Sequence, residues 1–484
     1  LAAKARALLA RAARRAASLG SPAEALRHAE TALARDPQGS EKHELAELAA
    51  ANARMSGSTD RAIELAQAAR AGYTSEGREM DAVRALIIEA QALREQSRLQ
   101  QAVDLLTPVY EAMKDREDAQ VQLLKLADAL SGCHVFLGNH QEAQRYGLHA
   151  LTLAEAEGDA ADIANALYRF SLVLLYLGSP TASRALLLES IRVAREGNLT
   201  ATLALALNNL ASLTYPRDLA AALPYAEEAL ALNQQIGDRG RAAVSMINVA
   251  LMHWISGDWQ RADALAADWT ADELAGSVYT GLELVHALIA WTRGLPVTPP
   301  RDYGTELDDS YDRASVAGIG ALVAAQSGDL ALAARMADEG MRDYHGSYGY
   351  EDDLVLFWSL AADLALEAGD LPRLRELLVL SAAAPGGART PLLLSHAAFY
   401  EGLLAAAEGR DPEAQLRDAL QRLAAYGAPL RLAQAQLALA SWLGAAGREA
   451  EGAQLLDDAA AVLTRLGAQP WLQKLAATRQ AVRA

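Results

Sequence analysis

Leu137-Gly-Asn-His-Gln-Glu-Ala143 is a helix stop followed at once by a helix start, and it returns along the whole chain. The glycine permits the left-handed backbone that ends a helix, and five positions later stands a small residue. Strong copies read Leu19-Gly-Ser-Pro-Ala-Glu-Ala25, Ser56-Gly-Ser-Thr-Asp-Arg-Ala62, Ser256-Gly-Asp-Trp-Gln-Arg-Ala262 and Ser327-Gly-Asp-Leu-Ala-Leu-Ala333. Weaker copies place Ala102, Ser183, Ala222, Leu374, Ala414 and Gly452 at the small position. The steps are 37 to 41 residues, except for 71 between Ala262 and Ala333.

Each turn separates two apolar patterns of helical period, such as Ala161 to Leu177 and Thr181 to Glu196. Pro22, Pro180 and Pro372 stand at the start of second helices, where a missing amide donor costs little. Small residues after the turn let paired helices approach. A self-similar period of this length marks a repeat architecture. The expected fold is therefore all-α, a superhelix of about eleven to twelve helical hairpins. Within the 71-residue step a helix is expected from Leu274 to Trp291, and three prolines after Gly294 break any second helix. Residues 294–312 read as an irregular insertion or degraded repeat between an array over 1–293 and another over 313–484. Residues 344–353 and 384–390 read as further exposed loops.

The composition agrees with close-packed helices. Hydrophobic residues make up 52% of the 484, yet aromatics only 5%. Repeats also evade the limit of about 250–300 residues on a single hydrophobic core. A net charge of −17 repels a phosphate backbone. The basic run Lys4, Arg6, Arg11, Arg14 and Arg15 reads as one solvated face of the first helix, so no nucleic-acid partner is expected. The single cysteine, Cys133, allows no intrachain disulfide and fits a core position in a reducing compartment. Charges interrupt every long apolar stretch, and the start lacks a signal-peptide pattern. The expected location is cytoplasmic, with no membrane partner. Because Leu1 is not an initiator methionine, the chain reads as a piece of something larger.

These turns resemble tetratricopeptide repeats, whose helix-turn-helix units carry a Gly or Asn turn and a small residue five further on. The resemblance covers nearly the whole chain, although the period near 40 exceeds the usual 34. Leu207-Asn-Asn-Leu-Ala-Ser-Leu213, Ala229-Leu-Ala-Leu-Asn-Gln-Gln-Ile-Gly-Asp238 and the stretch from Ala459 to Lys474 are similar to the C-terminal sensor arms of bacterial STAND-type signalling ATPases. Those include the maltose regulator, large LuxR-type regulators and multidomain cyclases. That resemblance implies a receiver of signals whose nucleotide site lies elsewhere.

Chemistry-bearing motifs are sparse. No phosphate loop, dinucleotide fingerprint or nucleophile elbow occurs. His43-Glu-Leu-Ala-Glu47 resembles a zinc-protease helix but has Glu47 where the second histidine is required. His134, His140 and His149 lie near Cys133 at spacings that suit no metal site, and Asp308-Asp309 and Asp352-Asp353 read as helix starts or solvated pairs. Neither catalysis, cofactor nor metal is expected. An enzyme using the 294–312 and 344–353 loops as a lid would need convergent polar groups that the sequence does not show.

A binding surface is more legible. In a superhelix the first helix of each unit lines the concave wall. Nine residues before each turn glycine or its equivalent stand Leu48, Ile88 and Ala129, then Arg169, Asn208 and Asn248, then Ile319, Leu360 and Tyr400. The middle three are polar. In peptide-binding tetratricopeptide domains an Asn here bonds the ligand's main chain, which the resemblance carries to Asn208 and Asn248, with Arg169 a departure. Asn165, Tyr168, His253 and Trp254 lie nearby on the same helices. The asparagines could instead bond neighbouring helices, Arg169 could form a structural ion pair, and Trp254, Trp259 and Trp269 could pack between units. The expected function is to bind a protein, peptide or small effector as a sensor arm; the alternative is a free-standing scaffold for a protein complex.

Overall fold

The computed structural model describes residues 2–267, 269, 277–302, 307, 309–350 and 353–483. These residues form α-helices and short 3-10 turns, with no strand among them. The first turn of the superhelix holds α1 (Ala2–Ser18), α2 (Pro22–Leu33), α3 (Ser40–Met55), α4 (Thr59–Ser75), α5 (Glu79–Glu95) and α6 (Leu99–Met113). It continues with α7 (Gln120–Phe136), α8 (His140–Glu157), α9 (Ala160–Tyr176), α10 (Pro180–Glu196), α11 (Thr200–Thr214) and α12 (Leu219–Ile236). Then come α13 (Arg239–Ser256), α14 (Trp259–Ala267), α15 (Ser277–Arg293), α16 (Ser310–Gln326), α17 (Leu330–Tyr348) and α18 (Leu354–Glu367). The chain ends in α19 (Leu371–Ala382), α20 (Pro391–Ala407), α21 (Glu413–Tyr426), α22 (Pro429–Ala445), α23 (Glu449–Leu466) and α24 (Gln469–Arg483). Except for α15 and α24, they pair as antiparallel hairpins across the repeated turns, giving an all-α tetratricopeptide-like superhelix.

The small residue after each turn is what lets the hairpin close. Ala25, Ala62, Ala102, Ala143, Ala222, Ala262, Ala333 and Leu374 are wholly buried, and Ser183 nearly so. Gly452 takes this further: a β-carbon there would lie 3.1 Å from the Ala440 carbonyl oxygen. Ala414 departs from the pattern. The turn between α20 and α21 is two residues longer, with Asp411 accepting the Glu413 amide at 2.9 Å, and this register shift exposes Ala414 and buries Leu416 in its place.

Two of the expected irregular segments differ from the structure, and in the segment over 294–312 the difference is that residues 310–312 already belong to α16. Residues 344–348 belong to α17, because Tyr344 and Tyr348 bury their rings against Phe357 at 5.0 Å and Tyr176 at 5.3 Å, respectively. Only Gly349, at φ 65°, ends that helix; Glu351 and Asp352 lie outside the described residues. The helix expected from Leu274 is described from Ser277, and residues 271–276 lie outside. After α15, residues 295–302 run without regular structure. This segment is nevertheless anchored: Val297 is buried, its amide donates to Gln326 Oε1 at 2.8 Å, and Gln326 Nε2 donates to the Leu295 carbonyl at 2.7 Å. Residues 303–306 and Asp308 lie outside the described residues. One hydrophobic cluster runs from Ala211 to Leu443, on both sides of this segment.

Successive superhelical turns rest on one another. Ser97 Oγ donates to Asp312, the Tyr348 hydroxyl oxygen lies 3.3 Å from the Phe136 carbonyl oxygen, and the Tyr426 hydroxyl donates to the Tyr215 carbonyl at 2.6 Å. These pairs are 215, 212 and 211 residues apart. The superhelix therefore closes a turn in a little over five repeats of about 40 residues. The Leu392 amide donates to the Pro216 carbonyl at 3.0 Å, and Pro470 meets Gly294, continuing the seam. At its start, Gly20 and Gly237 face each other so closely that a β-carbon on Gly237 would sit 2.1 Å from the Gly20 carbonyl oxygen. Both have positive φ, at 71° and 72°, and no side chain fits between them.

Candidate functional site

The bore of the superhelix holds a cavity of about 370 Å³, within the size range of small-ligand sites. First helices supply most of its wall: Arg54 from α3, Arg94 and Glu95 from α5, Tyr168, Arg169 and Leu172 from α9, Asn208 and Ser212 from α11, and Arg241 and Asn248 from α13. The second turn closes it with Asp309, Tyr311, Tyr344, Tyr348 and Asp353. Apolar side chains such as Leu175, Leu205 and Ile247 cover the remainder.

Asn208 and Asn248 meet across the α11–α13 interface. Asn248 Nδ2 donates to Asn208 Oδ1 at 3.1 Å, with Ser212 Oγ at 3.4 Å. Among the described residues each amide then keeps one function unused, the Asn208 Nδ2 donor and the Asn248 Oδ1 acceptor, and both side chains are partly exposed in the cavity. A peptide unit offers the complementary acceptor and donor. The neighbouring Asn209 leaves its Nδ2 buried without a partner among the described residues.

Arg169 lies on Gly132, where a β-carbon would come within 3.2 Å of Nη1; the glycine makes the space for the guanidinium. Its Nε donates to Asp128 Oδ1 at 3.2 Å and its plane covers the Tyr168 ring at 4.9 Å, while Nη1 is buried with no hydrogen-bond partner among the described residues. Arg54 pairs with Glu95, and Arg241 stands 3.4 Å from Asp238. Burial pushes the Arg241 guanidinium below its ordinary value and the Cys133 thiol, behind this wall, up to about 11.

The other wall is acidic. Asp309 caps α16, accepting the Tyr311 amide at 2.8 Å and the Tyr348 hydroxyl at 2.7 Å. Asp353 accepts the Tyr215 hydroxyl at 2.9 Å. Burial raises both carboxyls above the usual range. Behind them Asp312 is fully buried, bonded by Ser97 and Thr280, and burial with the nearby Asp309 pushes it up to about 8.

Of the residues singled out from sequence, the structure brings Tyr168, Arg169, Asn208 and Asn248 together in the cavity and leaves three outside its lining. Asn165 Oδ1 accepts the Thr202 hydroxyl at 2.8 Å in the α9–α11 interface. His253 is held between Glu227 at 3.6 Å and Asp258 at 3.8 Å, and burial lowers its pKa. Trp254 packs among core residues of α13, α14 and the C-terminal hairpins, its indole N–H 3.4 Å from Thr292 Oγ1. Trp259 is buried and donates to the Trp254 carbonyl at 2.9 Å. The three histidines near Cys133 each meet a different aromatic partner: His134 stacks on Tyr146, His140 on Tyr176, and His149 Nδ1 bonds the Tyr110 hydroxyl at 2.8 Å. Sequence reasoning missed Arg54 and Arg94. Both stand three residues before a turn residue with positive φ, Gly57 and Ser97, so a second register comparison would have found them.

No protein family model matches this chain, and no curated protein matches it in sequence. Among solved structures it is similar to the Rap protein complexed with competence and sporulation factor, at 12% identity, covering 75% of this chain and 99% of that one, TM-score 0.45. It is also similar to the apo quorum sensor NprR from B. thuringiensis, at 12% identity over 79% and 98% of the two chains, TM-score 0.36. Yeast Tom70 aligns at 12% identity over 99% of this chain and 96% of its own, TM-score 0.27. Among the described residues no helix is long and apolar enough to cross a membrane.

Proposed function

We propose that this chain is a binding module, without chemistry of its own, that holds a peptide segment inside the bore. One observation carries the reading: Asn208 and Asn248 are bonded to each other so that a free donor and a free acceptor are presented side by side in a cavity of about 370 Å³. A peptide main chain alternates the matching groups, and the apolar side chains of Leu175, Leu205 and Ile247 give its side chains somewhere to pack. Asn208→Ala with Asn248→Ala should lower retention of a degenerate peptide library, read by affinity selection and mass spectrometry, without loss of helical circular dichroism. Unchanged retention would remove these residues from the site.

The finer reading is a sensor arm of a larger bacterial signalling ATPase or transcription regulator, working in the cytoplasm. Its support is the resemblance of residues 207–213, 229–238 and 459–474 to such arms. On this reading the occupant reports its presence by fixing the relation between the 1–293 and 313–484 arrays. The mass of the intact polypeptide in its native host tests it: a species larger by several domains supports a sensor arm, and a species of this size supports the scaffold.

A further inference from the structure

We infer that the cavity takes a short zwitterionic peptide by its two free ends, the carboxylate against Arg94 and Arg169 and the ammonium against Asp353, so that one ligand joins two superhelical turns. This rests on the peptide reading above and names the ligand class.

The argument starts from charge. In a chain of net −17, four arginines line one cavity with a single acid, Glu95, on their side of the lining. Two of them are committed: Arg54 to Glu95 and Arg241 to Asp238. The Arg94 guanidinium makes no hydrogen bond or ion pair among the described residues, and Arg169 uses Nε while Nη1 stays buried and unbonded. Both line the same cavity, Arg169 lying on Gly132 and both acting on the adjacent Cys133 thiol. Uncommitted guanidinium N–H groups at one place are the donors that a carboxylate accepts, and leaving such a group unbonded in a buried site is costly.

The opposite charge is equally uncompensated. The one hydrogen-bond partner of Asp353 among the described residues is the neutral Tyr215 hydroxyl, and it has no ion pair. Asp309, beside it in the lining, takes its hydrogen bonds from Tyr348 and the Tyr311 amide. Arg313 and Asp343 are the charged groups that act most on Asp309, and the Tyr215 hydroxyl is what holds Asp353. The two charged sets line one cavity from different helices. Arg94 and Arg169 belong to the first turn of the superhelix and Asp353 to the second. A ligand carrying an anion at one end and a cation at the other satisfies both, and the donor and acceptor of Asn208 and Asn248 fit the amides between them.

The test uses the full chain and a degenerate tetrapeptide library in four forms: both ends free, amino end acetylated, carboxyl end amidated, and both blocked. The expected result is retention of the doubly free library, with about ten-fold loss on blocking either end, the size of a charge-assisted bond. Arg94→Gln should erase the penalty for amidation and keep the penalty for acetylation; Asp353→Asn should do the reverse. Equal retention of all four forms would overturn the inference and leave the peptide reading standing. Retention of none would overturn both. Because the blocked peptides are compared on the unaltered protein, the answer does not depend on either variant folding.

Discussion

The two halves of this superhelix are built from different materials. The early core, around α3 to α9, is a mosaic of alanine and leucine in which Tyr110 and Tyr146 are the buried aromatics of the main cluster. The later core holds Tyr215, Tyr344, Tyr348, Phe357, Trp358, Phe399, Tyr400 and Tyr426. Small residues let helices approach and fix a regular repeat; they have no polar tip to spend elsewhere. A tyrosine buries its ring and still carries a hydroxyl that must be bonded. Tyr426 places its own on the preceding superhelical turn, that of Tyr348 lies between Asp309 and the Phe136 carbonyl of the preceding turn, and Tyr400 places its own on Asp363 at 2.7 Å and the Ser359 carbonyl at 2.8 Å. Alanine and leucine determine the local stack, and buried aromatics of the second half add contacts between one turn and the next.

The sharpest way to break this contrast is Trp358→Ala. Trp358 is fully buried, packs edge-on to Tyr400 at 5.3 Å and donates to the Leu377 carbonyl at 2.8 Å. We expect a loss of about 3–5 kcal/mol in urea unfolding, larger than for Leu126→Ala in the early core; equal losses would mean that the aromatic core has no special weight. Next comes Gly237→Ala against Gly178→Ala. Both glycines have positive φ, but a β-carbon meets nothing within 4 Å at Gly178 and the Gly20 carbonyl at Gly237. Backbone strain of about 1–2 kcal/mol is common to both, so any excess loss in Gly237→Ala measures the seam between turns. Tyr426→Phe removes one inter-turn bond and should cost about 1 kcal/mol, with a rise in radius of gyration by small-angle scattering; an unchanged radius would separate that bond from the pitch.

A further test is pH. The Asp312 carboxyl is raised in the folded protein to about 8, against about 3.9 in an unfolded chain. Between those values the unfolded state has released its proton and the folded state still holds it, so the stability contributed is complete below about pH 4 and is lost as pH rises through the folded value. Asp309 and Asp353 are shifted the same way. Urea midpoints should fall from pH 5 to pH 9, and Asp312→Asn should flatten that fall; an equal slope in the variant would place the effect in other groups.

The helical hairpins are legible in the sequence because they depend on contacts a few residues apart: a glycine, a small residue and a period of 3.6 carry them. The wall of the bore is half legible for the same reason. Arg169, Asn208 and Asn248 break one helical register in consecutive units, and all three line the cavity. Asp309, Tyr348 and Asp353 join them through the closure of the superhelix about 211 residues on, and that depends on the rotation between repeats, which no local pattern encodes. Tyr344 and Tyr348 read as loop because Gly346 and Ser347 surround them, although their rings find partners in α9 and α18. Ala414 misleads by the opposite route, a turn lengthened by two residues that shifts every later side chain around its helix.

The seam of contacts from Gly20 to Pro470 also limits what the molecule can do mechanically. A coil wound until its loops touch has reached its solid length: it can be stretched or unwound, but it cannot be shortened. Any signal sent along this chain must therefore travel as torsion or extension, and the first thing such a motion opens is the gap between one loop and the next.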